Sequence, residues 1–293
     1  RSVGNTSGDL SNGGTVTISS TTRTAIFSTA QPDNIGVGDV IQYGGAGYYK
    51  LAFITARASS TVYYVQSATG GAPTATTSAS FAIYRAHLKL NDWENQTTAD
   101  VNADISASVR DQVLVSQDLV SSGTIMMVPC YASTNGDDEA VTINGWTTGE
   151  QDYIKIYTPV YSWEVGESQR HSGKWDDNKY KLTTNNDSLG VRFAAAGHVR
   201  IDGLQIDPAI SSAGQWRDGI YFSADIIKEV WVTNNIIRLS QYDSGCRGIL
   251  FNIVNSSAIG YVYNNIVYGF PTSLAGGGLL NKGYMYNLSL IHI

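Results

Sequence analysis

The chain has 293 residues, enough to bury a sizeable core in one large or two modest domains. Its formal charge of −6, with 19 Lys and Arg against 25 Asp and Glu and no basic cluster, sets aside duplex nucleic acid, which needs gathered cations to displace counterions. Cys130 and Cys246 lack metal-type spacing, and no apolar run approaches the roughly 18 residues of a membrane span, so zinc modules, disulfide scaffolds and membrane insertion are set aside as well.

Residues 1–86 read as a small β-rich element. The clearest strands are Val40–Tyr43, Leu51–Ile54, Thr61–Val65 and Phe81–Tyr84, broken at Gly44-Gly45, Ser59-Ser60 and Gly70-Gly71. That spacing predicts an antiparallel meander. Gly36-Val37-Gly38 has neither the third glycine nor the helix that a nucleotide loop needs, and it reads as a turn before a strand. Between residues 91 and 110 the texture changes. Asn91 with Glu94 forms a capping-box pattern, and Trp93, Val101, Ile105 and Val109 give partial helical spacing, as a short helix covering an open end of the following domain would.

From Ile125 onward the β signal is continuous: Ile125–Val128, Val141–Trp146 and Tyr153–Tyr157. A repeat then sets in. Val199-Arg200-Ile201-Asp202-Gly203-Leu204, Val230-Trp231-Val232-Thr233-Asn234-Asn235, Gly260-Tyr261-Val262-Tyr263-Asn264-Asn265 and Gly283-Tyr284-Met285-Tyr286-Asn287 stand 31, 30 and 23 residues apart. A second signal precedes each interval: Gly219-Ile220-Tyr221-Phe222, Gly248-Ile249-Leu250-Phe251 and Gly278-Leu279-Leu280-Asn281. With a third short strand such as Ile236-Ile237-Arg238, each period becomes a three-sided coil. Val141, Ile143, Gly145 and Trp146 fit the columns of Val199, Ile201, Gly203 and Leu204. The polar run Gln169–Asn178 reads as an excursion from one coil.

The fold expected is therefore all-β: a right-handed, three-sided parallel β-helix over residues 87–287. Stacked coils lie about 4.8 Å apart. Ile201, Val232, Val262 and Met285 should then form one inward stack and Leu204, Asn235 and Asn265 the next, with amide hydrogen bonds passing along the asparagines. Strand alternation sends Trp231, Tyr261, Tyr263, Tyr284 and Tyr286 outward as an aromatic stripe, the candidate ligand-binding surface.

The columns Val-x-Ile-x-Gly-Leu and Val-x-Asn-Asn-x-Ile resemble the right-handed parallel β-helix superfamily of pectate lyases, polygalacturonases and phage tailspikes. Gly145-Trp146, Tyr153–Ile156, Arg170–Trp175 and the Asn-Asn repeats are similar to surface β-helix repeat proteins of environmental microbes. The likeness covers roughly residues 85–287. It implies an extracellular or cell-surface protein: a non-catalytic adhesin, stalk or glycan-binding domain, or alternatively a polysaccharide lyase or glycoside hydrolase, or a tailspike-type receptor binder. Its partner would be a polysaccharide or cell-surface glycan. No cofactor or metal is expected, Ca²⁺ entering only under the lyase alternative.

Catalysis of the polygalacturonase kind needs gathered Asp carboxylates with a His and basic groups nearby. His198, Arg200 and Asp202 carry only fragments of that pattern, Arg200 and Asp202 being the outward positions of a strand. Asp137-Asp138-Glu139 is acidic enough for Ca²⁺ but reads as a solvated turn. The densest group of chemistry is Arg170, His171, Lys174, Asp176 and Asp177 with Trp175, on a loop. These are the catalytic candidates, and the competing reading is a loop that folds on the flank and satisfies itself by ion pairs and Trp packing. The chain opens at Arg1 and reads as a fragment. Leu288–Ile293 resembles a translated transposon-end adapter from a sequencing library, so residues 288–293 are expected to be a non-native tail without a role for His292.

Overall fold

The computed structural model describes residues 1–184, 190–193, 197–208, 218–222, 228–240, 246–251, 258–269, 279–280, 284–286 and 289–291. Two units divide the chain: Arg1–Val115 with Val128–Tyr131 and Thr158–Gln169, and Ser116–Met127 with Ala132–Tyr157 and Arg170–Ile293.

In the first unit, seven antiparallel strands lie in the spatial order Thr76–Ala79, Val16–Ser19, Thr24–Phe27, Val62–Gln66, Lys50–Arg57, Val40–Tyr43, Phe81–Tyr84. The two strands at opposite ends of that order are separated in sequence by Ser80 alone, so the sheet's edges meet and the sheet rolls into a barrel. Its interior takes alternate residues from every strand, among them Ile18, Phe27, Ile41, Ile54, Tyr63, Ile83 and the partly buried Ala79. Period-two alternation explains this selection, because one face of each strand must be apolar. The four expected strands are all present. Three further strands, Val16–Ser19, Thr24–Phe27 and Thr76–Ala79, join them; the first pairs antiparallel with both others, and with the last through a register shift between Val16 and Ile18.

Outside the barrel, Val40, Leu51 and Phe53 pack with Val101, Ile105, Val109 and Val113. The residues read as a helix covering an end of the solenoid thus cover a face of this sheet instead. Of residues 91–110 and their flanks, the α-helical part is Leu90–Asn95. Its first turn is closed by Asp92, whose Oδ2 accepts from the Lys89 N–H at 3.0 Å, in place of the expected Asn91–Glu94 box. Beyond Asn95 the Ser, Thr, Asn and Asp side chains bond locally and turn the chain: Thr97 Oγ1 donates to Asp100, and the Asp104 N–H donates to Asn102. The four-residue apolar spacing therefore comes from successive turns.

The second unit is a parallel β-solenoid of three sheets. The first contains Met126–Pro129, Ile154–Tyr157, His198–Asp202, Glu229–Thr233, Ile259–Tyr263 and Tyr284–Tyr286. The second holds Lys181–Thr184, Gln205–Pro208, Ile236–Arg238, Ile266–Tyr268 and Ser289–Ile291, and the third Val141–Ile143, Val191–Phe193, Asp218–Phe222, Arg247–Phe251 and Leu279–Leu280. Each coil visits the sheets in that order. Ile201, Val232, Val262 and Met285 stand in one register column, as expected, with Ile156 preceding them in it, and all but Met285, whose side chain is not described, are buried. Leu182, Ile206, Ile237 and Val267 make the inward column of the second sheet.

One register expectation is corrected. Val141–Ile143 pairs with Val191–Phe193 in the third sheet, and the neighbour of Val199 is Ile154. A three-residue apolar-x-apolar strand fits any side of the coil, so the pattern alone could not choose the side. The third sheet is marked instead by its opening glycines. A Cβ on Gly219 would lie 2.3 Å from the Ile237 methyl and 2.7 Å from the Gly248 carbonyl oxygen, so no side chain fits where these coils approach. Ser289–Ile291 pairs with Ile266–Tyr268. Gly278, Asn281, Gly283, Asn287, Leu288, His292 and Ile293 lie outside the described residues.

Candidate functional site: the outer face of the first solenoid sheet

Alternation along His198–Asp202, Glu229–Thr233 and Ile259–Tyr263 buries Val199, Ile201, Val230, Val232 and Val262 and leaves the intervening side chains partly exposed. In Cα register Lys155, Arg200, Trp231 and Tyr261 stand in one column, which Tyr284 extends, and Asp202, the buried Thr233 and Tyr263 stand in the next, which Tyr286 extends. The side chains of Tyr284 and Tyr286, expected in the stripe, lie outside what the structure describes.

The Trp231 and Tyr261 rings have centroids 4.5 Å apart with planes tilted by 30°, and Tyr263 meets Trp231 edge-on at 6.1 Å. Trp231 is held in orientation by its own strand, since Nε1 donates to Glu229 Oε1 at 2.6 Å. At the other end of the column the guanidinium of Arg200 lies 3.7 Å from the Tyr153 ring centroid and 5.5 Å from that of Trp231. Lys155 sits 4.5 Å from the centroid of Tyr157. The face thus grades from two cations to flat aromatic rings over successive coils. Rings and cations of this kind offer stacking and charge-assisted hydrogen bonds to one extended ligand. The stripe was legible as alternation. Tyr153, Lys155, Arg200 and Glu229 were missed as parts of it, and counting two residues back from the outward Trp231 along its strand would have found Glu229.

The loop group is not one site. Arg170 Nη2 donates to Asp202 Oδ2 at 2.7 Å, and Asp202 also accepts from Thr233 Oγ1 at 3.1 Å and Asn234 Nδ2 at 2.7 Å. His171 beside it is held below the ordinary imidazole pKa mainly by burial, and Arg170 pushes in the same direction. A few residues on, the loop turns to different partners. Trp175 Nε1 and Lys181 Nζ both donate to Asp177 Oδ1, at 3.1 and 2.9 Å, which holds that carboxyl below its usual range. Arg238 stacks 3.6 Å from the Trp175 centroid while pairing with Asp207 at 2.7 Å. Asp176 is clamped through its backbone, the N–H donating to Gln205 Oε1 and the carbonyl accepting from Gln205 Nε2. Lys174 is exposed. Arg170–His171 and Trp175–Asp177 therefore engage different parts of the solenoid flank, and their nearness in sequence gives no converging acid, base and nucleophile.

The acidic run is also corrected. Asp137 is buried in a parallel bridge to Leu182, and its Oδ2 accepts from Tyr180 Oη at 3.0 Å, so this is a structural carboxylate rather than a solvated turn. Among the described residues, no three His, Cys, Asp or Glu side chains converge as a metal shell requires. Cys130 and Cys246 are each fully buried. In comparisons with known proteins, no family model matches the chain, and neither a curated protein nor a solved structure does.

Proposed function

We propose that this chain is a surface-displayed, non-catalytic solenoid that binds a glycan along the outer face of its first sheet. The observation that carries the reading is the register column Lys155, Arg200, Trp231, Tyr261. Coil spacing of about 4.8 Å repeats the contact along the axis, as an extended saccharide would need. Glu229 fixes the Trp231 ring before a ligand arrives, which lowers the ordering cost of binding. Arg200 at one end favours acidic sugars, while Lys155 beside it pairs with Asp202 at 4.0 Å.

The test is the double substitution Trp231→Ala with Tyr261→Ala, assayed on a glycan array and by sedimentation. Loss of array binding in a folded protein of unchanged oligomeric state supports the reading. Unchanged binding reduces the stripe to sheet packing, and turnover of acidic or neutral polysaccharides by the wild type would replace it with the hydrolase or lyase alternative.

A further inference from the structure

Aromatic rings gain by leaving water, so two of them held in the open by a stiff turn call for an account. In the first unit, Tyr161 and Trp163 are 60% and 53% exposed, with ring planes 6° apart and centroids at 5.8 Å. Their turn is tightly bonded. The Glu164 and Val165 N–H groups both donate to the Tyr161 carbonyl, at 2.8 and 3.1 Å, and the Glu164 carboxylate accepts from the N–H groups of Val160 and Tyr161. Its base is seated on the barrel. The Val37 N–H donates to the Glu164 carbonyl at 2.9 Å, and a Cβ on Gly36 would come within 2.2 Å of that same oxygen.

Two charged residues share the patch. The Arg57 N–H donates to the Trp163 carbonyl at 2.6 Å, and the Glu167 N–H donates to the Asp33 carbonyl at 2.8 Å. Arg57 Nη2 and Asp33 Oδ1 pair at 2.9 Å. The Asp33 side chain is 66% exposed, and its Oδ2 has no partner among the described residues. Arg57 Nε is buried and likewise unpartnered.

We propose that Tyr161, Trp163, Asp33 and Arg57 form a second carbohydrate site, which takes a neutral hexopyranose oligosaccharide. Area argues against a protein partner. Half-exposed rings of ~150–250 Å² each offer on the order of 200 Å² together, against the ~800 Å² that each side of a protein interface commits. Charge argues against a polyanion, because the guanidinium is already matched by the adjoining carboxylate. A pyranose has what the patch lacks: a C–H face with positive hydrogens for the negative ring faces, and a rim of hydroxyls that can donate to Asp33 Oδ2. The site stands on residues remote in sequence from the Trp231 column and does not depend on the reading of that face.

The experiment is titration calorimetry of the full chain with neutral hexaoses of glucose, mannose and galactose, and with polygalacturonate as the anionic comparison. At least one neutral hexaose should bind the wild type. Trp163→Ala and Tyr161→Ala should each weaken it by roughly tenfold, Asp33→Asn should weaken it, and Trp163→Phe should keep most of the affinity. Trp231→Ala should leave it unchanged, which separates this site from the solenoid face. Wild type that binds no neutral hexaose, aromatic variants that bind as wild type, or Trp163-dependent binding of polygalacturonate alone would each overturn the proposal.

Discussion

Asn265 Oδ1 accepts two hydrogen bonds from Asn235 on the preceding coil, one from its backbone N–H and one from Nδ2, both at 2.9 Å. Asn235 in turn places its Oδ1 2.9 Å from the Leu204 N–H. Both side chains are buried, so each amide satisfies backbone groups that the tight corner removes from the sheet ladder. Substituting Asn235→Leu copies the residue at the equivalent position of the coil before it, yet should cost about 2–4 kcal/mol, because the Leu204 N–H loses its acceptor and Asn265 Oδ1 loses one of its two donors. Urea denaturation measures this, and a loss below about 0.5 kcal/mol would show the ladder to be ornamental.

The residue before each ladder position carries the turn. Asn234 and Asn264 have φ of 57° and 56°, and Gly203 in the same place has 83°. Asn264→Gly should therefore be nearly neutral, and Asn264→Val should lose about 1–2 kcal/mol from forcing a β-branched residue into the left-handed region. Equal stability of the two variants would contradict the corner geometry.

Val232→Ala removes two methyl groups from a fully buried column between Ile201 and Val262. The expected loss is about 1–3 kcal/mol, with the spread set by how far the coils relax into the gap. A thermal midpoint unchanged within error would place this side chain outside the core.

In the first unit, Arg85 and Asp39 pair with both side chains wholly buried. The Arg85 guanidinium lies 3.7 Å from the Tyr131 centroid, and the Gly36 N–H also donates to Asp39. Arg85→Met keeps the bulk and strands the carboxylate, whose pKa burial already raises, so the loss should reach about 3–5 kcal/mol. The double variant Arg85→Met with Asp39→Leu should recover much of it. A single variant as stable as wild type would show the pair to be dispensable.

Burial lowers the His87 pKa from 6.5 to about 3, while Nδ1 lies 3.1 Å from the Asp100 carbonyl oxygen. The sign follows from proton counts. Above pH 6.5 neither state protonates this ring, and between 6.5 and about 3 the unfolded chain takes up a proton that the folded one refuses. His87 therefore removes stability as pH falls, by up to about 1.4 kcal/mol per unit well below the upper limit. Denaturation midpoints of wild type and His87→Gln at pH 7, 6, 5 and 4 should diverge in that direction, and parallel curves would rule the contribution out.

The sequence by itself determined the solenoid and its polarity of faces. Alternation of period two says which side chain is inward, and recurrence at coil length says which residues stack, so the Ile201–Val232–Val262 column, the asparagine ladder and the Trp231–Tyr261 stripe were all legible before any coordinates. Tertiary structure decided what local pattern leaves degenerate. Val141-Thr142-Ile143 is apolar-x-apolar on any side of a coil, and only pairing with Val191 assigns its sheet. Thr76-Thr77-Ser78-Ala79 carries no apolar alternation to announce a strand, and its pairing with Val16–Ser19 is what makes it one. The run from Arg170 to Asp177 reads as one cluster because sequence counts residues, whereas a folded loop sends neighbours to separate partners. Tyr161 and Trp163 join Asp33 and Arg57 across more than 100 residues, a distance over which one chain carries no pattern, so their patch exists only through packing.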